Sequence, residues 1–286
     1  MVDDAGDRIG LDIDNGTLRV AWLRRDPENF RVEAVEIVDL GDPGLTDWLQ
    51  LAPTFVAVPD EFVMARHFKL DHQGVTDAAI AFELALGLTG KPEEYCFDLL
   101  PGEPSHCGLS FIVRRQVLRD IVAPIAPDLH PDSVDRLNFQ PRAVALGKAF
   151  RQFCLPEPES FICLAHVQTD ATSLCLLYEG QIIEVGGVKN GLGQLCSTGD
   201  CNRLAAKLSS VVNSKLDALG ENGRPLGPLR LLVTGVSSDD KVVYSLRSYF
   251  PSAGRPRLDP AAVAGSDCGQ GYDITSFLAA IGAALD

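Results

Sequence analysis

Asn15-Gly16 separates two stretches of alternating apolar residues, Ile9 to Asp14 and Thr17 to Arg24, and a unit of the same order recurs between residues 161 and 185. Both members of an Asn-Gly pair tolerate positive φ, where other side chains clash, so the pair closes a two-residue hairpin between strands that each bury one face. In the second unit Phe161 to Val167 passes through the polar turn Gln168-Thr169-Asp170 into Thr172 to Tyr178, and Glu179-Gly180 turns the chain again into Gln181 to Val185. Helical periodicity follows each unit. A chain that twice lays down three strands and then helices is constrained to a duplicated α/β architecture.

The 286 residues suffice for about two domains, and 46% hydrophobic content fits a packed protein rather than a disordered one. With 39 acidic against 25 basic side chains the net charge is −14, and no basic run offsets it, which excludes a nucleic-acid-binding surface. Met1 to Asp7 has neither the basic nor the apolar region of a signal peptide, so a cytoplasmic protein is expected. No apolar run approaches the ~20 residues that cross a bilayer, so membrane association is expected only through a partner. Eight cysteines are scattered, several in strand-like apolar runs, and read as reduced core residues. Cys196 and Cys201 share a Gly/Ser/Asp loop in which metal binding or redox sensing is conceivable, yet no second pair or spaced His completes a site.

The first half reads as strands over 9–14, 17–24, 31–37 and 55–58, with a short helix near Leu45 to Leu51. Phe62 to Leu70 alternates in its later part, Thr76 to Leu88 has helical spacing, and strands follow near 94–99 and 107–114. A helix over 115–123, a strand from Ser133 to Leu137 and a helix from Pro141 to Phe150, with Pro in its first turn, complete this half. Pro156 and Pro158 mark a boundary at 152–160. Beyond the second strand unit come a long helix over Asn202 to Leu219, a buried-type strand over Leu229 to Gly235, a helix near Lys241 to Phe250, a strand at Pro256 to Leu258 and a helix from Ile274.

Chemistry concentrates at the two hairpins. Backbone N–H groups in a tight turn can converge on an anion, and a strand-end carboxylate, Asp12 or Asp14, can hold hydrated Mg²⁺ beside it. A pair of carboxylates on the polar face of a strand explains the same residues. His166, on an apolar strand, reads as a hydrogen-bonded core or groove residue rather than a catalytic base. Lys189-Asn190-Gly191-Leu192-Gly193 lacks the Gly-Lys-Ser/Thr ending of a P-loop and reads as the lead into a helix.

The duplicated order, with turn motifs at both hairpins and a late strand ending Thr234-Gly235, resembles the actin, chaperone and sugar-kinase superfamily. Within it the chain is most similar to PilM-type proteins of type IV pilus assembly. Gly10-Leu11-Asp12-Ile13 with Leu18-Arg19-Val20 resembles that family's opening phosphate motif, and Val56-Ala57-Val58-Pro59 leading to Arg66-His67-Phe68-Lys69-Leu70 resembles its extra subdomain. Residues 108–150 are similar to the return to the core, and Glu179-Gly180 with Gly186-Gly187 and Gly191 to the second hairpin and its exit. The resemblance implies an actin-like, ribonuclease H-like duplicated fold: a first lobe over 1–152 with an inserted subdomain at about 55–130, and a second over 160–286 with a reduced fourth subdomain at about 198–228. It also implies ATP and Mg²⁺ held by Asp12, Asp14, Asn15, Gly16 and Thr17 at the phosphate end and by Gly235 at the adenosine end.

Departures from the pattern argue against that chemistry. Asp14 stands where the family has Gly, and adds a negative charge facing the same anion. Reading Asp14-Asn15-Gly16-Thr17 as the Asp-x-Gly-Thr string restores part of the motif and shortens the hairpin. In the second unit Ala165-His166-Val167 replaces an Asp-x-Gly, leaving Asp170 farther round the turn, and Thr234-Gly235-Val236 keeps one glycine of a pair. The expectation is therefore a scaffold without assigned catalytic residues or metal ligands, binding the cytoplasmic tail of a PilN-like inner-membrane protein and meeting other pilus assembly proteins. The resemblance places the tail between core and inserted subdomain, near Phe62 to Leu70 and Thr76 to Leu88. An active ATPase or small-molecule kinase using Asp14 to Thr17 and Asp170, and a filament-forming actin-like protein, are the alternatives.

Overall fold

The computed structural model describes residues 6–26, 29–40, 42, 52–69, 88–102, 107–125, 138–157, 159, 161–193, 201–221, 227–235, 240–263, 267–268 and 272–285. Strands β1 (Arg8–Asp14) and β2 (Thr17–Arg25) form the hairpin expected at Asn15-Gly16, with Asp14 opposite Thr17. The φ angles of Asn15 and Gly16 are 42° and 84°, the pair of positive values that a type I′ turn requires. β3 (Phe30–Asp39) continues the meander on β2, while β4 (Thr54–Val58) lies parallel to β1 on its other side.

After a 3₁₀ turn at Asp60–Phe62 come β5 (Met64–Lys69), β6 (Tyr95–Pro101) and β7 (Cys107–Arg114), which form a separate antiparallel sheet in the order β5-β7-β6. Helix α1 (Arg115–Val122) follows, then β8 (Asn138–Pro141) returns parallel to β4 and leads directly into α2 (Arg142–Phe153). The second unit has β9 (Phe161–Val167), β10 (Thr172–Tyr178), β11 (Gln181–Val188), α3 (Cys201–Glu221) and β12 (Leu229–Gly235), ordered β11-β10-β9-β12. The chain closes through α4 (Asp240–Leu246), α5 (Pro260–Val263), β13 (Asp267–Cys268) and α6 (Leu278–Ala283). The first sheet runs β13-β3-β2-β1-β4-β8, so the sequence of meander plus parallel strand, 3-2-1-4, appears in both halves.

The two sheets share one core. Phe55 and Ala57 from the first, Leu164 and Cys175 from the second, and Ala145, Phe150 and Ile281 from α2 and α6 belong to a single buried cluster. α3 and α4 cover the other face of the second sheet, which explains why all seven residues of β9 are buried and why it reads as a continuous apolar run. The α2–α6 contact is close enough that a Cβ on Gly282 would lie 1.7 Å from the Ala145 carbonyl oxygen.

Several boundaries differ from those read in the sequence. The strand parallel to β4 is Asn138–Pro141; the expected strand at Ser133 to Leu137 lies outside the described residues, as do the helix near Leu45 to Leu51 and all of Thr76 to Leu88 but Leu88. Pro141 is extended, with φ −57° and ψ 137°, and precedes the helix instead of starting it, so Arg142 becomes its first residue. At Pro256 to Leu258 there is no strand; isolated bridges join Gly254 to Leu232 and Leu258 to Cys154. The helix from Ile274 opens as a 3₁₀ turn at Ile274–Phe277, where the Asp273 carboxylate accepts the Thr275 N–H at 3.0 Å. β4 belongs to the first sheet, and β13 pairs with β3 while α6 packs on β1, returning the end of the chain to the first sheet.

Candidate functional site

β1, β4, β8, β9 and β12 direct their carboxyl ends toward one place between the two halves, where open α/β sheets present ligand sites. Asp12 and Asp14 arrive from β1, Arg19 from β2, Arg142 from the first residue of α2, His166 from β9 and Gln168 and Thr169 from the turn after it. Each is placed by an element end, and strand alternation puts Asp12 and Asp14 on the same side of β1.

Asp12 is fully buried and its carboxylate is saturated. Oδ1 accepts from Arg142 Nε at 2.7 Å; Oδ2 accepts from Gln168 Nε2 at 2.7 Å and from His166 Nε2 at 3.3 Å, with Arg19 Nη1 at 3.7 Å. Arg142 Nη2 also donates to the Ile13 carbonyl at 2.7 Å, which fixes the guanidinium across the end of β1. Burial alone would raise the Asp12 pKa; the charge of Arg142 and the hydrogen bond from His166, with further help from Arg19, outweigh it and hold the carboxyl well below the usual range. Burial also lowers the pKa of His166. Its neutral ring donates from Nε2 to Asp12 and accepts at Nδ1 from the Thr234 hydroxyl, 2.9 Å away.

Asp14 makes a second bridge between the halves. Its carboxylate accepts from the Thr169 N–H at 3.1 and 3.3 Å, from the Thr169 hydroxyl at 3.1 Å and from Arg19 Nη2 at 3.3 Å. Thr17 donates its hydroxyl to the Asp14 carbonyl at 2.7 Å, tightening the Asn15-Gly16 turn. The loop over 189–193 supports the opposite turn from behind: Leu192 and Gly193 N–H groups donate to the Gln168 and Thr169 carbonyls at 2.8 and 2.6 Å. Those N–H groups are therefore spent on protein carbonyls.

Gly235 has φ 108°, and a Cβ there would stand 2.1 Å from the Val167 carbonyl oxygen. Close approach of β12 to the end of β9 thus accounts for this glycine. Asp170 is exposed and lines, with Asp14, Glu61 and Asp120, a cavity of about 210 Å³. That is below the roughly 300–1,000 Å³ of pockets that hold small molecules and cofactors. Four carboxylates in its wall, against the one guanidinium of Arg142, oppose a triphosphate, and among the described residues no group of three His, Cys, Asp or Glu is placed to hold a metal ion. As arranged, Asp12 and Asp14 fit arginine and threonine donors and do not fit a Mg²⁺-bound phosphate.

No family model matches the chain, and no curated protein matches its sequence. Among solved structures it is similar to the PilM-PilN type IV pilus biogenesis complex, with TM-score 0.65 and 14% identity over 97% of this chain and 97% of that one. It is also similar to a Bacteroides thetaiotaomicron protein with an actin-like ATPase fold and unknown function, with TM-score 0.53 and 10% identity over 97% and 98% of the two chains. The chain has the actin-like ATPase fold. Asp12 to Thr17 and Gln168 to Ala171 belong to two hairpin turns, one from each half, and side chains of the protein itself join them.

The actin-like fold is extended by the β5-β7-β6 sheet. Between it and β8 lies a second, largely apolar groove of about 200 Å³, lined among others by Val63, Phe97, Val113, Leu118 and Phe139. Of the stretch Phe62 to Leu70, Val63 reaches this groove; Phe62 faces the acidic cavity, and His67 bonds Glu184 of β11 at 2.8 Å, itself held by Lys215 at 2.9 Å. Arg19 and Gln168 lie in stretches the sequence singled out, the opening motif and the polar turn, but neither was assigned a role, and Arg142 had no motif to announce it. The one available signal was a charged residue, Arg142, opening a helix whose first two turns are otherwise apolar, immediately after a proline.

Proposed function

We propose that this actin-like protein is a scaffold of a type IV pilus or related secretion machine, located in the cytoplasm and held at the inner membrane through its partner. It binds the cytoplasmic tail of a PilN-like membrane protein and places it beside other assembly proteins. Asp12 and Asp14 carry this reading: their carboxylates are saturated by Arg142, His166, Gln168, Thr169 and Arg19, so the turns that would cradle a nucleotide are joined to each other instead. Support for the partner comes from the solved structure it resembles, a complex of PilM with PilN. The apolar groove beside Val113 and Phe139 offers room for side chains of an extended tail and too little for a cofactor. Among the described residues no helix is long and apolar enough to cross a membrane, which fits attachment through a partner.

The test is a titration of the protein into a fluorescently labelled peptide covering the cytoplasmic N-terminal tail of a PilN-like single-pass membrane protein. Saturable binding that survives addition of MgATP supports the scaffold. A tail that fails to bind, with the protein folded, overturns it.

A further inference from the structure

We infer that the outer helical face of the second half, formed by α3 and α4, is a docking surface for anionic lipid headgroups and orients the protein against the membrane at which its partner holds it. Charge is unevenly spread along the chain. Residues 201–257 hold nine of its 25 Lys and Arg side chains and four of its 39 Asp and Glu side chains, so a positive stretch stands inside a chain of net charge −14. Lys215 is paired with Glu184, Arg230 and Arg257 with Glu157, and Arg255 with Asp273, all carboxylates from outside the stretch. Arg203 and Lys207 of α3, Lys241 of α4 and Arg247 in the turn that ends α4 are exposed.

The two helices pack against each other over one face of the second sheet, burying Leu204, Leu208 and Val212 of α3 with Val242, Val243 and Leu246 of α4. Helical spacing then decides what they turn outward. On α3, Arg203 and Lys207 are one turn apart, and their exposed neighbours Ala206, Ser210 and Ser214 are small, so both long side chains can lie along one plane; the exposed acid Asp217 stands farther along. On α4, Lys241 and Tyr244 share the outward face. Tyr244 is 74% exposed, and Tyr249, just beyond the helix, 45%. Exposed tyrosines among cations suit a membrane interface, where the rings sit at headgroup level and the cations meet lipid phosphates. The flat face favours a bilayer over a peptide, which takes a groove or a sheet edge. The acidic remainder of the chain does not cancel the attraction, because at physiological salt the Debye length is about 8 Å and charges on the far side of the protein are screened.

This inference rests on the proposed placement at the inner membrane, but its test uses no tail peptide, so either can fail alone. The protein is sedimented with vesicles of phosphatidylglycerol and phosphatidylethanolamine, and with phosphatidylcholine vesicles as the uncharged control. Without such a face a chain of net charge −14 would be repelled by the anionic vesicles. Binding to them is expected, weakened by added salt and absent on phosphatidylcholine. Lys207→Glu combined with Lys241→Glu should lower the bound-to-free ratio at least about tenfold, and Tyr244→Ser about threefold. Lys91→Glu combined with Arg151→Glu changes the net charge equally at exposed positions away from α3 and α4, and should lower the ratio by less than about twofold. No binding to the anionic vesicles, or an equal loss from both charge-reversed pairs, overturns the inference. Binding to a DNA duplex at the same ionic strength would make the face a general polyanion surface and overturn it as well. All the substituted residues are exposed, and an unchanged circular dichroism spectrum verifies that each variant is folded.

Discussion

The Arg142 guanidinium lies 2.7 Å from the carboxylate of Asp12, a residue 130 positions earlier, and both side chains are buried, at 2% and 0% exposure. The pair joins the start of α2 to the end of β1. A buried ion pair adds little net stability over an apolar substitute, but breaking it leaves an uncompensated charge. Arg142→Met is therefore expected to cost about 3–5 kcal/mol in urea unfolding. Adding Asp12→Asn to that variant removes the stranded charge and should recover part of the loss; a double variant as unstable as the sum of the singles would show that the two residues do not act as a pair.

Asp60 sits at the start of α2 from the other side, its two oxygens accepting the Ala143 N–H at 3.2 and 3.1 Å. Burial pushes its pKa up to about 7, against the opposing pull of Arg142 and the Ala143 N–H, with the nearby Glu61 adding to the rise. A raised folded-state pKa means that the folded protein holds a proton the unfolded chain has released. Its contribution is thus full below about pH 4 and is lost as pH rises through about 7. Asp60→Asn keeps an acceptor for Ala143 and removes the titration. Relative to the variant, the wild type should lose up to about 4 kcal/mol between pH 4 and 8. Parallel stability profiles for the two proteins would contradict the assignment.

Asp12 has the opposite sign. Its depressed pKa contributes stability present above the ordinary carboxylate range and lost as pH falls through and below it. Asp12→Asn should flatten the acid limb of the stability curve while leaving the loss between pH 4 and 8 in place. Urea midpoints across the acid range measure it.

Gly235→Ala would press a methyl against the Val167 carbonyl at a φ that L-residues avoid. A loss of at least about 2 kcal/mol is expected, measured by urea unfolding. An adenosine-contacting glycine on an exposed loop would tolerate the change far better.

Val113→Glu places a charge in the apolar groove between β7 and β8 at a partly exposed position. Tail-peptide affinity should fall by about tenfold or more with the circular dichroism spectrum unchanged. Unaltered affinity would move the docking site elsewhere.

Much of the fold was legible because its signals are local. Asn15-Gly16 and Glu179-Gly180 each carry positive φ at both residues, and the alternation around them fixes the strands. β8 was not read in the sequence because four residues, Asn138–Pro141, are too few to show a period, and only pairing with β4 makes them a strand. The return of α6 to the first sheet is equally invisible locally, since a run of Ala, Gly and Leu says that it is buried but not against what. At the site, Asp12 and Asp14 could be singled out as strand-end carboxylates. Their partners Arg142, Gln168 and Thr169 lie 130 to 156 residues away. No spacing rule links residues joined only when two halves of a duplicated fold face each other.

Calorimetric titration of MgATP into the protein tests the central claim most directly. With Asp12 and Asp14 committed to protein donors, no saturable heat and no turnover are predicted. Micromolar binding that Asp14→Ala alters, together with ATP hydrolysis, would contradict the scaffold account.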